Sequence, residues 1–355
     1  MKSFITSLLL FPQPFTIPLH FLLGILSICF HSSYASEEIF DQSFEEHFEN
    51  TVLPFYWSAP SGTLHRPNQV DLHYKTFDNP LSKGTIVFVT GWTETHLKYA
   101  ELIWEFYQNG YSIYSIDNRG MGFSTRLTSN PQQVHVENVQ DYVDDLKEFV
   151  DKVVRPANPI KLYFVAHSMG GLITAEYLAR FPDDAQAAVF SAPLFELNTG
   201  SLPEYLAYQI TKTEIKRGKG KHYAMTQGDT TYEKASDFST QKTTHSLKRW
   251  KKKIANWKHF PILLQGGSTN QWVNSVLKHT FLLLEKGWKT MKTPTLILQA
   301  SHDTYVINRG HQRVCSQAQH CQIKQYPNSY HELFLEHEPV RSPAITDTLQ
   351  FLEHY

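Results

Sequence analysis

Three side chains in this sequence, Ser168, Asp303 and His331, have the types and the chain order needed for nucleophilic acyl chemistry. A serine hydroxyl is a weak nucleophile by itself. It needs a base to take its proton, an acid to fix the base's tautomer, and donors for the oxyanion that forms. Ser168 lies in Ala166-His-Ser-Met-Gly-Gly171, directly after the apolar run Lys161-Leu-Tyr-Phe-Val165 and directly before the helical pattern Leu172–Arg180. A serine on a tight strand-to-helix turn stands clear of the sheet edge, and such a turn requires small neighbours. Ala166, Gly170 and Gly171 supply them. The N-terminus of the following helix favours negative charge at that place. The same position also suits a serine that only caps the helix, so its partners must decide.

Asp303 follows the apolar run Thr295–Ala300, and His331 follows the run Gln322–Tyr326. A carboxylate at 303 can accept from an imidazole; it can equally be a loop residue capping a helix near Asn308. With eighteen histidines in the chain, residue type alone singles out none. Order and place single out His331, because functional groups in open α/β sheets sit on loops after the strands. The backbone N–H of Met169, next after the serine, is the first expected oxyanion donor. A second is expected from the loop after Thr85–Thr90, where Gly91-Trp92 stands; we choose Trp92, whose ring also suits simple packing. Asp117-Asn-Arg-Gly-Met-Gly-Phe-Ser124 reads as a tight turn in which Asp117 and Arg119 are structural.

The elements that must position these groups alternate. Val70–Phe77 alternates apolar and polar residues like a half-buried strand. Thr85–Thr90 and Tyr111–Ile116 are continuous apolar runs that suit strands covered on both faces. Leu97–Gln108 and Val139–Val154 have helical spacing, with stops at Asn109-Gly110 and Pro156. Leu162–Val165 and Ala187–Phe190 read as strands, Asn308–Cys315 as a short helix, and Ser342–His354 as the last one. This pattern predicts an α/β fold: a mostly parallel central sheet with helices on both faces. The alternation breaks between Leu194 and Lys292. We expect residues 36–193 and 293–355 to form the core and 194–292 an inserted cap (lid) at the strand ends. Two basic clusters lie in that insertion, Lys212–Lys221 and Lys248–Lys253.

Composition bounds the function. The chain has 355 residues, 41% hydrophobic and 19% charged, with a formal net charge of −1, a soluble globular balance that points to no nucleic-acid partner. Lys2 is the one charged side chain before Glu37, histidines aside, and Phe21–Cys29 is an apolar core. Ser33-Tyr-Ala35 then offers small residues for cleavage, so residues 1–35 read as a signal peptide cleaved after Ala35. An uncleaved anchor and a lipoprotein signal at Cys29 are the alternatives. Export leaves two cysteines, Cys315 and Cys321, and an oxidising compartment suggests that they pair. Their spacing matches no common zinc pattern.

Taken together, these motifs resemble the monoglyceride-lipase-like branch of the α/β hydrolases, the serine aminopeptidase S33-type hydrolases, and within it the bacterial lysophospholipases. The matching pieces are Gly91-Trp92 through Tyr99, Asp117–Ser124, His167-Ser-Met-Gly-Gly171, Ser191-Ala-Pro193, Asp303-Thr-Tyr-Val306 and Tyr330-His-Glu-Leu-Phe334, with Thr243-Thr-His-Ser246 and Gly266-Gly-Ser-Thr-Asn-Gln-Trp272 in the cap. Three residues depart from the branch's pattern: Thr90 and Asn118 replace histidines, and Ala166 replaces the glycine that opens the elbow. The resemblance implies the α/β-hydrolase fold and hydrolysis of a lipid carboxylic ester through an acyl-enzyme, with a lysophospholipid as substrate and no cofactor or metal. It also leaves room for a monoacylglycerol lipase, a general carboxylesterase, an acyltransferase or a non-catalytic lipid binder. The basic clusters of the cap read either as contacts to an anionic membrane surface or as a solvated face.

Overall fold

Where the sequence runs continuously apolar, the chain forms the centre of a sheet. The structure, a computed structural model, describes residues 42–157 and 159–355. The expected signal peptide, its cleavage point at Ala35 and Cys29 lie outside the described residues. Residues 42–47 are helical and belong to a unit separate from Asn50–Tyr355.

The strands are β1 (Ser61–Arg66), β2 (Val70–Phe77), β3 (Thr85–Val89), β4 (Ser112–Ile116), β5 (Leu162–His167), β6 (Ala187–Ser191), β7 (Thr295–Ala300) and β8 (Cys321–Tyr326). They form one 8-stranded sheet in the order β1-β2-β4-β3-β5-β6-β7-β8. From β4 to β8 every pairing is parallel, and β1 and β2 add two antiparallel pairings at one edge. All residues of β3 to β7 are buried. That burial follows from the helices that cover a parallel sheet on both faces. The opposite edge, β8, exposes most of its residues, and Lys324 there discourages pairing with another chain.

The longer helices are α1 (Leu53–Ser58), α2 (Ala100–Gln108), α3 (Val139–Phe149), α4 (Met169–Arg180), α5 (Glu204–Lys216), α6 (Leu247–His259), α7 (Asn270–Glu285), α8 (Asn308–Cys315) and α9 (Glu338–His354), with a single turn at Tyr232–Ala235. α3 starts on a capping box: the Asn138 side chain accepts from the helix backbone while Asp141 accepts from the Asn138 N–H. The α8 and β8 ends approach each other, with the Cα atoms of Cys315 and Cys321 5.3 Å apart and their sulfurs placed at bonding distance. Among the described residues, no helix is long and apolar enough to cross a membrane.

The segment between β6 and β7 adds no strand to the sheet among the described residues and carries α5, α6 and α7. In the basic cluster Lys248–Lys253, Arg249 turns inward while Lys251 is exposed. Arg249 is buried and forms two hydrogen bonds to Glu101, at 2.7 and 2.8 Å, and one to Glu338, at 2.6 Å. Arg341 is buried beside it on two oxygens of Glu105, at 2.8 and 2.7 Å. These pairs tie α6 to α2 and α9. The residues of the other cluster, Lys212, Lys216, Arg217, Lys219 and Lys221, are exposed.

Burial opposes ionisation of Glu338, and the Arg249 guanidinium outweighs it, holding the carboxyl at about 2. Glu101 is lowered in the same way, chiefly by Arg341 and Arg249 against burial. A lowered carboxyl stabilises the fold above its unfolded value and loses that effect as the pH falls through the folded one. Arg249→Met leaves Glu101 buried with only Arg341, 3.5 Å away, as a cation, and should lower the unfolding free energy by about 3 kcal/mol near neutral pH. Urea titrations should show this deficit narrowing from about pH 7 to about pH 4, as protons neutralise the stranded carboxylates. A deficit that stays constant with pH would contradict the ionic account.

Candidate active site

The turn after β5 is built by exclusion. Ser168 has φ 52° and ψ −118°, a conformation rare for a residue with a side chain. Its N–H donates to the Ser191 carbonyl at 3.0 Å, and its own carbonyl accepts from Gly171 and Leu194, both at 2.9 Å. A Cβ on Gly170 would stand 2.3 Å from the Val89 carbonyl oxygen, and one on Gly171 2.5 Å from the Pro193 Cβ. Ala166 is buried in register between Val89 and Phe190. Smallness is therefore what the elbow needs at 170 and 171.

The three residues picked from the sequence meet. His331 Nε2 lies 2.8 Å from the Ser168 Oγ, and His331 Nδ1 lies 2.6 Å from Asp303 Oδ2. Ser168 and His331 are each 5% exposed. Asp303 does not cap the helix at Asn308, whose N-cap is Ile307 with no side-chain bond; its other oxygen instead accepts from the Tyr305 and Val306 N–H groups of its own loop at 2.8 and 3.0 Å. Burial opposes ionisation of Asp303, but His331 and these two N–H groups hold its carboxyl below the usual range. The Tyr305 ring packs on the imidazole, centroids 5.0 Å apart. A hydroxyl, an imidazole and an ionised carboxylate in this sequence can pass a proton from Ser168 to His331 while Asp303 stabilises the imidazolium.

The loop after β3 reaches the same place. A Cβ on Gly91 would stand 3.1 Å from the Ser168 Cβ. Trp92 follows, its indole N–H donating to Ser268 Oγ at 2.8 Å. Met169, as the first residue of α4, has an N–H with no acceptor within its own helix. The two departures around this loop touch each other: the Asn118 amide donates to the Thr90 carbonyl at 3.0 Å. Asp117 is structural, as expected. Its carboxylate accepts from Thr95 Oγ1 at 2.9 Å, from His96 N–H at 2.9 Å and from Phe123 N–H at 2.8 Å. Burial raises it to about 6. Arg119 is structural too, with two 2.6 Å hydrogen bonds to Asp145.

Sequence reasoning missed a buried ionic group behind the site: Glu94, Lys98, Tyr99, His167 and Glu332 are all joined by hydrogen bonds of 3.1 Å or less. The signal available was position, since Gly91, His167 and Glu332 each adjoin a site residue in the chain. Both motifs of the inserted segment also land here. The Thr243 carbonyl accepts from the Glu332 N–H at 2.8 Å, Thr244 Oγ1 donates to the Leu335 carbonyl at 2.7 Å, and Ser268 holds Trp92. Among the described residues, two groups could gather round a metal ion, His73 with His96 and Asp117, and His245 with Glu336 and His337. In both, the carboxylate is already engaged by backbone N–H groups.

An α/β sheet of this order, with a serine on the elbow after β5 and acid and base after β7 and β8, defines an α/β hydrolase. The chain belongs to the family described as serine aminopeptidase, S33, whose model matches residues 80–338. It is 33% identical over 279 residues to Lysophospholipase L2 of Escherichia coli strain K12, covering 76% of this chain and 80% of that protein. It is 28% identical over 305 residues to Probable lysophospholipase L2 of Haemophilus influenzae, covering 85% and 94%. A soluble variant of monoglyceride lipase from Saccharomyces cerevisiae, solved with a substrate analog, superposes with a TM-score of 0.66 at 18% identity, over 83% of this chain and 94% of that one. The structural likeness bears on the fold.

The elbow makes its own test. Gly170→Ala pushes a methyl into the Val89 carbonyl, and should destabilise the protein by on the order of 3 kcal/mol. Thermal unfolding should show the loss, and a variant as stable as the wild type would mean that the elbow is not packed this closely.

Proposed function

We propose that the protein is a lysophospholipase in which Ser168 is the nucleophile, His331 the general base and acid, and Asp303 the residue that orients it. The observation that carries the catalytic reading is the unbroken chain of hydrogen bonds from Ser168 Oγ through His331 to Asp303. The substrate class rests on the lysophospholipase relatives. In this reading Ser168 Oγ attacks the ester carbonyl as His331 takes its proton. The Trp92 and Met169 N–H groups receive the oxyanion. The glycerophospho-alcohol leaves with the proton from His331, and water then releases the fatty acid from the acyl-enzyme.

Residues 194–292 form the cap in this proposal and cover the acyl chain. The exposed lysines from 212 to 221 are the part of the cap suited to an anionic membrane surface, since Arg249 is taken up by buried carboxylates. The leader at 1–35 and the pair Cys315–Cys321 fit an exported enzyme with one disulfide. Peptide mapping of exported protein should find the two cysteines linked and separated only on reduction; two alkylated thiols would contradict this.

Fatty-acid release should be measured on lysophosphatidylcholine, on monoacylglycerol and on nitrophenyl esters. The wild type should turn over lysophosphatidylcholine, and Ser168→Ala should lose about 10⁴-fold or more on every substrate. If lysophosphatidylcholine is untouched while the others react, the substrate reading fails in favour of a monoacylglycerol lipase or carboxylesterase. Full activity in Ser168→Ala removes the nucleophile.

A further inference from the structure

The buried ionic group behind the site touches the sequence neighbours of Trp92, Ser168 and His331. Glu94 Oε2 accepts from the Gly91 N–H at 2.5 Å, one residue before Trp92. The same oxygen lies 3.1 Å from Nδ1 of His167, one residue before Ser168. Glu94 Oε1 accepts from Lys98 Nζ at 2.5 Å and from the Tyr99 hydroxyl at 2.8 Å. Lys98 Nζ donates again to Glu332 Oε1 at 2.8 Å, one residue after His331. One ammonium and two carboxylates thus span the oxyanion loop, the elbow and the histidine loop.

We propose that Glu94, Lys98 and Glu332 act as a positioning brace, setting the oxyanion loop and the histidine loop against Ser168. The proposal rests on the catalytic reading above. The Glu94, Lys98 and Glu332 side chains are 5%, 7% and 5% exposed. Desolvating such charges opposes folding, and a buried pair is often replaceable by apolar residues without loss of stability. Stability therefore gives no reason for charges here, whereas position does. A carboxylate with three donors and the His167 ring against it fixes loops to within the few tenths of an ångström on which oxyanion stabilisation depends. Burial opposes ionisation of Glu94, and Lys98 and His167 outweigh it, so the group stays charged. Lys253, from α6 of the inserted segment, closes the brace on the far side, its Nζ 3.6 Å from Glu332 Oε1. None of these side chains is needed to make or break a bond, so they are positioning residues.

The test compares wild type, Glu94→Gln, Lys98→Met, Glu332→Gln and the double variant Glu94→Gln/Lys98→Met. A fluorophosphonate counts active sites and times their phosphonylation, and a soluble nitrophenyl ester gives kcat and KM. Each folded single variant should label fully but about 10- to 100-fold more slowly, with kcat per labelled site falling equally and KM within about twofold of wild type. The double variant should lose no more than about threefold beyond the worse single, because the residues act as one unit. A merely structural role would lower the labelled fraction and leave kcat per labelled site unchanged, and that result overturns the brace. Additive losses in the double variant overturn it too, as does failure of all three single variants to fold, which would make the group a folding element. Failure of the wild type to label sinks the catalytic reading itself. Labelling of wild type and variants at one rate sinks only the brace.

Discussion

The structure depends on a tight turn. Ser168 must leave β5 and enter α4 within one residue, and the chain does this by adopting φ 52° at a residue with a side chain. Strain of this kind, on the order of 1–3 kcal/mol, persists only where the surroundings over-determine it. Here the sheet on both sides does so: β3 presses its Val89 carbonyl on Gly170, and β6 takes the Ser168 N–H at Ser191. The glycines at 170 and 171 follow from that geometry rather than from any chemistry of their own. So does the glycine at 91, where a Cβ would stand 3.1 Å from the Ser168 Cβ.

Once the elbow is fixed, the other groups need only short reaches from neighbouring strand ends. β7 and β8 run parallel and in register, and the loops after them deliver Asp303 and His331 to the same edge. The inserted segment then fastens those loops from outside. Thr243 and Thr244 hold the turn that follows His331, and Ser268 holds Trp92. Arg249 anchors the segment to α2 and α9 through buried carboxylates. Changes in the insertion can thus reach the chemistry without touching a substrate.

Legibility in the sequence followed the physics of each element. Strands buried on both faces are continuous apolar runs, so β3 to β7 were readable to within a residue or two. Ser168, Asp303 and His331 were readable because each sits on a loop after its own strand. β1 was missed because Ser61-Gly-Thr-Leu-His-Arg66 is a polar, mostly exposed edge strand with little apolar alternation. α5, α6 and α7 were missed because the insertion buries mixed surfaces: α6 carries Arg249 on its inner side, and α5 exposes Tyr205 and Leu206. The ionic group around Glu94 was missed because its members lie far apart in the chain, at 94–99, at the end of β5 and after β8. Only the folded sheet edge brings Glu94, His167 and Glu332 together. Two substitutions that look independent in the chain, Thr90 and Asn118, proved to be one contact.

The central claim is that Ser168 carries the acyl group. The most direct measurement is rapid acid quench of the wild-type protein during turnover of a nitrophenyl fatty-acid ester, followed by peptide mapping by mass spectrometry. The account predicts a fatty-acyl ester on the Ser168 peptide that forms within the first turnover and decays as free acid appears. Product formation at full rate with no acyl adduct, or with the adduct on another residue, would contradict it.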